Sequence, residues 1–161
     1  MKAQFFRSLV LVVLSVSTIS ILATTGNAQG KGDKTLVGAW EMIITFRDCT
    51  TGAATRQAPG LISFMFGGVM QEYGLGQQIP QNRTDAHGNW SHDTARNYSA
   101  VAKAFRFNIG GSYAGSAKLY RLVELSQDGE AFEASVASEI YDASGVLISR
   151  GCATESGRRL E

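Results

Sequence analysis

Few side chains in this sequence could do chemistry, and they fall into three groups. His87 and His92, the only two histidines, lie near Asp85 and Asp93. A metal at this cluster would need three converging ligands with partners behind them. Two solvated histidines at a loop and a strand edge would need nothing, and His87 can equally bond locally before Trp90. The two cysteines, Cys49 and Cys152, could form a disulfide, stay as thiols or share a metal. The third group is charges set in apolar rows: Lys103 among Val101, Phe105 and Phe107, and Arg121 among Ala117, Leu119, Val123 and Leu125. A charge facing an apolar interior requires a partner or an anionic ligand, and Glu155 has the parity to offer one to Arg121. A bulge or a snorkelling side chain would return either charge to solvent. That second outcome is expected for Lys103, while both stay open for Arg121.

Several chemistries have no sequence support. The chain carries no Gly-x-Ser-x-Gly, no His-Glu-x-x-His, no P-loop and no Gly-x-Gly-x-x-Gly, so no catalytic residue, cofactor or metal is assigned. Asn82-Arg83-Thr84 and Asn97-Tyr98-Ser99 fit the glycosylation acceptor pattern, which matters only in a eukaryotic secretory host.

The start of the chain reads as a secretory signal over residues 1–28. Lys2 and Arg7 precede an apolar run from Leu9 to Leu22, and Gly26-Asn27-Ala28 supplies the small residues of a cleavage site. The run is short of the roughly 20 residues that span a bilayer. The expectation is a secreted or periplasmic protein, cleaved near Ala28 and without a membrane association afterwards. The signal holds two of the 15 basic residues and none of the 14 acidic ones, which leaves the remainder at net −1. No basic stripe stands out, so nucleic acid is not an expected partner. Nothing in the sequence sets an oligomeric state.

Residues 29–35 read as a flexible leader and 36–161 as one β domain. From Leu36 to Cys49, Trp40, Met42, Ile44 and Phe46 alternate with Glu41, Thr45 and Arg47, the period of a strand with one buried face. Thr50 to Gly60, with Gly52 and Pro59, reads as a loop. Leu61–Phe66, Gly67-Gly68 and Val69–Tyr73 make a hairpin. Gly74 to Gly88 has no pattern, and Asn89–Asp93 is a brief strand. Val101, Phe105, Phe107 and Ile109 form one apolar row; the row of Arg121 forms the next. Asp128-Gly129 is a hairpin turn before Phe132, Ala134, Val136, Ser138 and Ile140, and Asp142–Gly145 turns into a last strand. These about eight strands with short turns predict an all-β, eight-stranded antiparallel up-and-down barrel.

In such a meander the first and last strands become antiparallel neighbours. Placing Cys49 opposite Cys152 puts Arg159 opposite Met42 and on the inward face with Trp40, with the cysteines outward. Export to an oxidising compartment makes the disulfide the default for this pair.

Gly38-Ala39-Trp40 on a first strand, with Arg159 near the end, resembles the pairing found in lipocalins and the wider calycin superfamily. There the Trp closes one barrel end and the Arg packs across its ring, as a guanidinium suits. The chain also resembles small secreted bacterial lipocalin-like proteins in Arg47-Asp48-Cys49-Thr50-Thr51-Gly52, His87-Gly88-Asn89-Trp90, Tyr141-Asp142-Ala143-Ser144-Gly145 and Gly151-Cys152-Ala153. The resemblance implies a lipocalin-like barrel, with Gly38, Trp40 and Arg159 structural. There is no obvious room for the C-terminal helix of true lipocalins.

The expected function is non-catalytic binding of a small hydrophobic or amphipathic molecule at the barrel end opposite Trp40 and Arg159. Met42, Phe46, Phe105, Phe107, Arg121, Phe132 and Ser138 are the candidate lining. One alternative is a cyclase- or isomerase-type enzyme, for which Arg121 with Glu155, or His87 with Asp85, would have to converge inside an apolar cavity. Another is a filled-barrel structural or interaction protein.

Overall fold

Trp40, Met42 and Ile44 are buried, while Ala39, Glu41 and Ile43 between them are exposed, as expected of a strand with one wet face. This strand, β1 (Gly38–Arg47), is followed by β2 (Ala54–Phe64), β3 (Val69–Tyr73), β4 (Asn82–Arg83), β5 (Ala86–Thr94), β6 (Asn97–Phe107), β7 (Tyr113–Leu125), β8 (Ala131–Tyr141) and β9 (Leu147–Arg159). The computed structural model describes residues 35–73 and 82–160. The expected signal over 1–28 and nearly all of the leader fall outside them. Among the described residues no helix is long and apolar enough to cross a membrane.

All pairings are antiparallel and follow chain order except that β3 pairs β5 and β4 pairs β6, and β6 pairs β7 while β9 pairs β1 to close the sheet. β4 and β5 form one stave broken by a bulge. Arg83 pairs with Arg106 of β6, but His87 pairs with Lys103, one residue out of step. Thr84 mends the break: its N–H donates to the Phe105 carbonyl (2.9 Å) and its Oγ1 accepts from the Phe105 N–H (3.0 Å). Eight staves therefore form a closed all-β barrel, as the alternation predicts.

Four expectations need correction. The loop expected over Thr50–Gly60 is shorter, because β2 begins at Ala54. Pro59 sits inside β2 opposite Ile43, and the described ladder with β3 runs from Leu61 to Phe64. The β1–β9 register is also shifted by two residues. Trp40, not Met42, lies opposite Arg159, and Cys152 lies opposite Arg47. Cys49 is past the end of the ladder and reaches Cys152 diagonally, with Cα atoms 5.3 Å apart in the disulfide. A shift of two preserves every face.

The third correction concerns β6, whose buried row is Tyr98, Ala100, Ala102 and Ala104, while Val101, Lys103 and Phe105 face outward. Lys103 thus reaches solvent because its whole row does, without a bulge. The fourth concerns Gly74–Gly88, whose described part, from Asn82, is largely strand rather than loop.

Candidate functional site

Among the described residues, the barrel is filled at one end and hollow at the other. At the filled end the indole of Trp40 is fully buried, its Nε1–H donates to the Leu36 carbonyl (3.0 Å), and Phe132 meets it edge-on at 5.2 Å. Arg159 lies over the ring at 4.2 Å and donates to the carbonyls of Val37 (2.8 Å), Thr35 (2.8 Å) and Gly129. Gly38 is required here: a Cβ would stand 2.4 Å from Arg159 Nη1, and its φ of 144° disfavours other residues. Phe64, Ile62, Met42, Met70 and Leu125 fill the rest of this end.

Above that plug the interior turns from apolar to charged. Arg121, on β7, pairs in register with Ala100, and the small β6 row leaves room for its side chain. The guanidinium spans the lumen. Its Nε donates to Glu155 Oε2 (2.9 Å) and its Nη2 to Glu155 Oε1 (3.1 Å) on β9, and Nη2 also bonds Glu72 on β3. The second oxygen of Glu72 takes Arg83 of β4. Arg121, Glu72 and Glu155 are each only 2% exposed, so the network lies in low dielectric and each charge depends on the others. Burial pushes the Glu72 carboxyl up, but Arg121 and Arg83 together outweigh it and hold it below the ordinary range. Burial also pushes Glu155 up, the negative charge of Glu72 adds to this, and Arg121 offsets it only in part.

Among the described residues, two donors in this region have no partner. Arg121 Nη1 and Arg106 Nη1 are buried without a hydrogen-bond partner. Arg106 stands directly opposite Arg83 on the neighbouring strand. Like charges in that position repel unless something negative lies between them.

Beyond the charged layer lies an open cavity of about 580 Å³, within the range of small-molecule sites. Its wall is apolar, formed by Ile44, Phe46, Leu119, Val136, Ile140 and Ile148 among others. Arg83, Arg106, Arg121, Glu72 and Glu155 line it on the charged side, with Arg47 and Arg56 also in its wall. Arg56 lies 3.9 Å over the Phe46 ring, and Arg47 is held by Thr154 Oγ1 (3.0 Å) and the Gly52 carbonyl (2.9 Å). Gly151, opposite Ser138, leaves that hydroxyl its place: a Cβ there would stand 2.6 Å from Ser138 Oγ.

Of the candidate lining, Phe46, Arg121 and Ser138 are in the cavity wall. Met42 and Phe132 belong to the plug, each 1% exposed. Phe105 and Phe107 pack against Tyr113 instead, and Phe105 is 48% exposed on the outer wall. The inward position expected for them fails because alanine, a weak hydrophobic signal, fills the true inward row. Glu72, Arg83 and Arg106 are the site residues that sequence patterning missed. Met70 and Glu72 share the buried parity of β3, which was available as a signal. His87 is exposed on the outer wall, and His92 bonds the Ala95 carbonyl (2.8 Å) and packs on Tyr98. Among the described residues no three of His, Cys, Asp or Glu gather closely enough to hold a metal.

No family model matches the chain, and neither the curated proteins nor the solved structures provide a match.

Proposed function

We propose that this chain is an exported lipocalin-like protein that binds a small hydrophobic or amphipathic molecule inside its barrel, without catalysis. The cavity of about 580 Å³, open at the end away from Trp40 and walled by aliphatic and aromatic side chains, is the observation that carries this reading. An apolar wall with a few converging polar groups is the usual composition of a ligand site. The likeness to lipocalins rests on the stack of Arg159 on Trp40 and on closure by β1 and β9. Export rests on the leader pattern over residues 1–28, and the Cys49–Cys152 disulfide is compatible with an extracytoplasmic location.

Native mass spectrometry of the protein purified from its exporting host tests the binding reading. A reproducible small-molecule adduct is expected, and a clean apo mass from every preparation would count against it.

One observation favours a cyclase- or isomerase-type reading: Arg121 and Glu155 meet within hydrogen-bond reach at the cavity. Both Glu155 oxygens are already engaged by Arg121, which leaves binding as the preferred reading.

A further inference from the structure

We propose that the charged side of the cavity is an anion seat, which takes the head group of an amphipathic monoanion, such as an alkyl carboxylate, between Arg106 and Arg121. This rests on the binding reading above and specifies the ligand class.

Three features of the site converge on it. On the charged side of the cavity three guanidinium groups, Arg83, Arg106 and Arg121, face two carboxylates, Glu72 and Glu155, and Arg47 and Arg56 stand in the same wall, so positive charge is in excess there. Arg121, only 2% exposed, spends Nε and Nη2 on the carboxylates, and its Nη1 has no partner among the described residues. Arg106 Nη1 is likewise buried and unpartnered, and its strand neighbour is another arginine, Arg83. A buried unpaired donor on a charged group is costly, and two such donors in one cavity wall favour an acceptor that carries charge. Arginine suits oxyanions in particular, because its planar fork matches a carboxylate. The apolar residues of the same cavity, Ile44, Phe46 and Leu119 among them, provide for a hydrocarbon tail.

The test is calorimetric titration of the delipidated protein with straight-chain carboxylates from butanoate to tetradecanoate, each against the alcohol of equal chain length. Arg106→Gln is the variant, chosen because Arg106 stands outside the Arg121–Glu72–Glu155 network and its loss leaves that network paired. The expected result is a carboxylate bound at least about ten-fold more tightly than its alcohol, with the preference abolished in Arg106→Gln while alcohol binding persists. Equal affinity for acid and alcohol in the wild type would overturn the anion seat and leave the apolar cavity standing. A preference undiminished in Arg106→Gln would overturn the assignment to this residue pair. Failure of every member of both series to bind would overturn the binding reading as well.

Discussion

Arg121 Nε on β7 donates to Glu155 Oε2 on β9 at 2.9 Å across the barrel lumen, and the same guanidinium holds Glu72 on β3. One side chain thus ties together three staves that are not neighbours in the sheet. Removing one partner from a buried ion network leaves the others uncompensated, at about 3–5 kcal/mol. Arg121→Met should therefore lower the urea midpoint by a corresponding amount at unchanged m-value. Combining it with Glu72→Leu and Glu155→Leu should cost less than Arg121→Met alone. A single variant within about 1 kcal/mol of wild type would show that the network is not under this constraint.

The two carboxyls should affect the pH dependence in opposite directions. Glu72 is held below its ordinary range once Arg121 and Arg83 outweigh its burial, so the folded state binds its proton less readily than the unfolded chain. Its contribution to stability is present above the unfolded value and is lost as pH falls through the folded one. Glu155 is raised by burial, so its contribution is full below the unfolded value and is lost as pH rises through the folded one. Relative to wild type, Glu72→Gln should thus lose stability at neutral pH and converge on it in acid. Glu155→Gln should compare progressively better as pH rises. Chemical denaturation across the acid-to-neutral range checks both signs.

The disulfide joins residues 103 apart in sequence and encloses most of the barrel. Chain-entropy reasoning assigns a loop of that length about 4–5 kcal/mol at most. Cys49→Ala with Cys152→Ala should therefore lower the thermal midpoint markedly while the far-ultraviolet spectrum of the surviving folded state stays that of a β protein. No loss of midpoint would mean that the unfolded chain is little constrained by the bond.

Arg159→Lys removes the planar group that lies 4.2 Å over Trp40 and bonds carbonyls on both sides of the barrel end. A cation–π contact of this kind contributes about 0.5–2 kcal/mol. A loss of that order is expected, and the exposed stub of the barrel should admit water to the indole and shift tryptophan emission to the red. Gly38→Ala should give the same spectral sign, because its Cβ displaces the guanidinium.

Much of this architecture was legible because strands of one-sided burial write their faces as parity. Trp40, Met42 and Ile44 on β1, and Phe132, Ala134 and Val136 on β8, carry large or consistent apolar rows, and the structure keeps them inward. The pairing of Arg121 with Glu155 was legible for the same reason. β6 was not, since Val101 and Phe105 outweigh Ala100, Ala102 and Ala104 in any hydrophobic pattern. Here the barrel needs small residues where Arg121 crosses, so volume rather than hydrophobicity sets the inward row. Arg106 escaped notice because taking Val101 and Phe105 as the inward row assigns it to the outer face, whereas it lines the cavity. The exact β1–β9 register was out of reach because Cys49 bonds from beyond the ladder, so pairing the cysteines does not fix which residues face each other.

The proposed binding of a small amphipathic molecule requires the cavity between the charged layer and the barrel mouth to accept one. The most direct measurement is fluorescence titration with anilinonaphthalene sulfonate, an apolar anion, in wild type and in Ser138→Trp, which places an indole in the cavity wall opposite Gly151. Saturable binding at one site, abolished in a Ser138→Trp variant that remains folded by circular dichroism, is the predicted result. Binding of equal affinity in that folded variant, or no saturable binding in wild type, would contradict it.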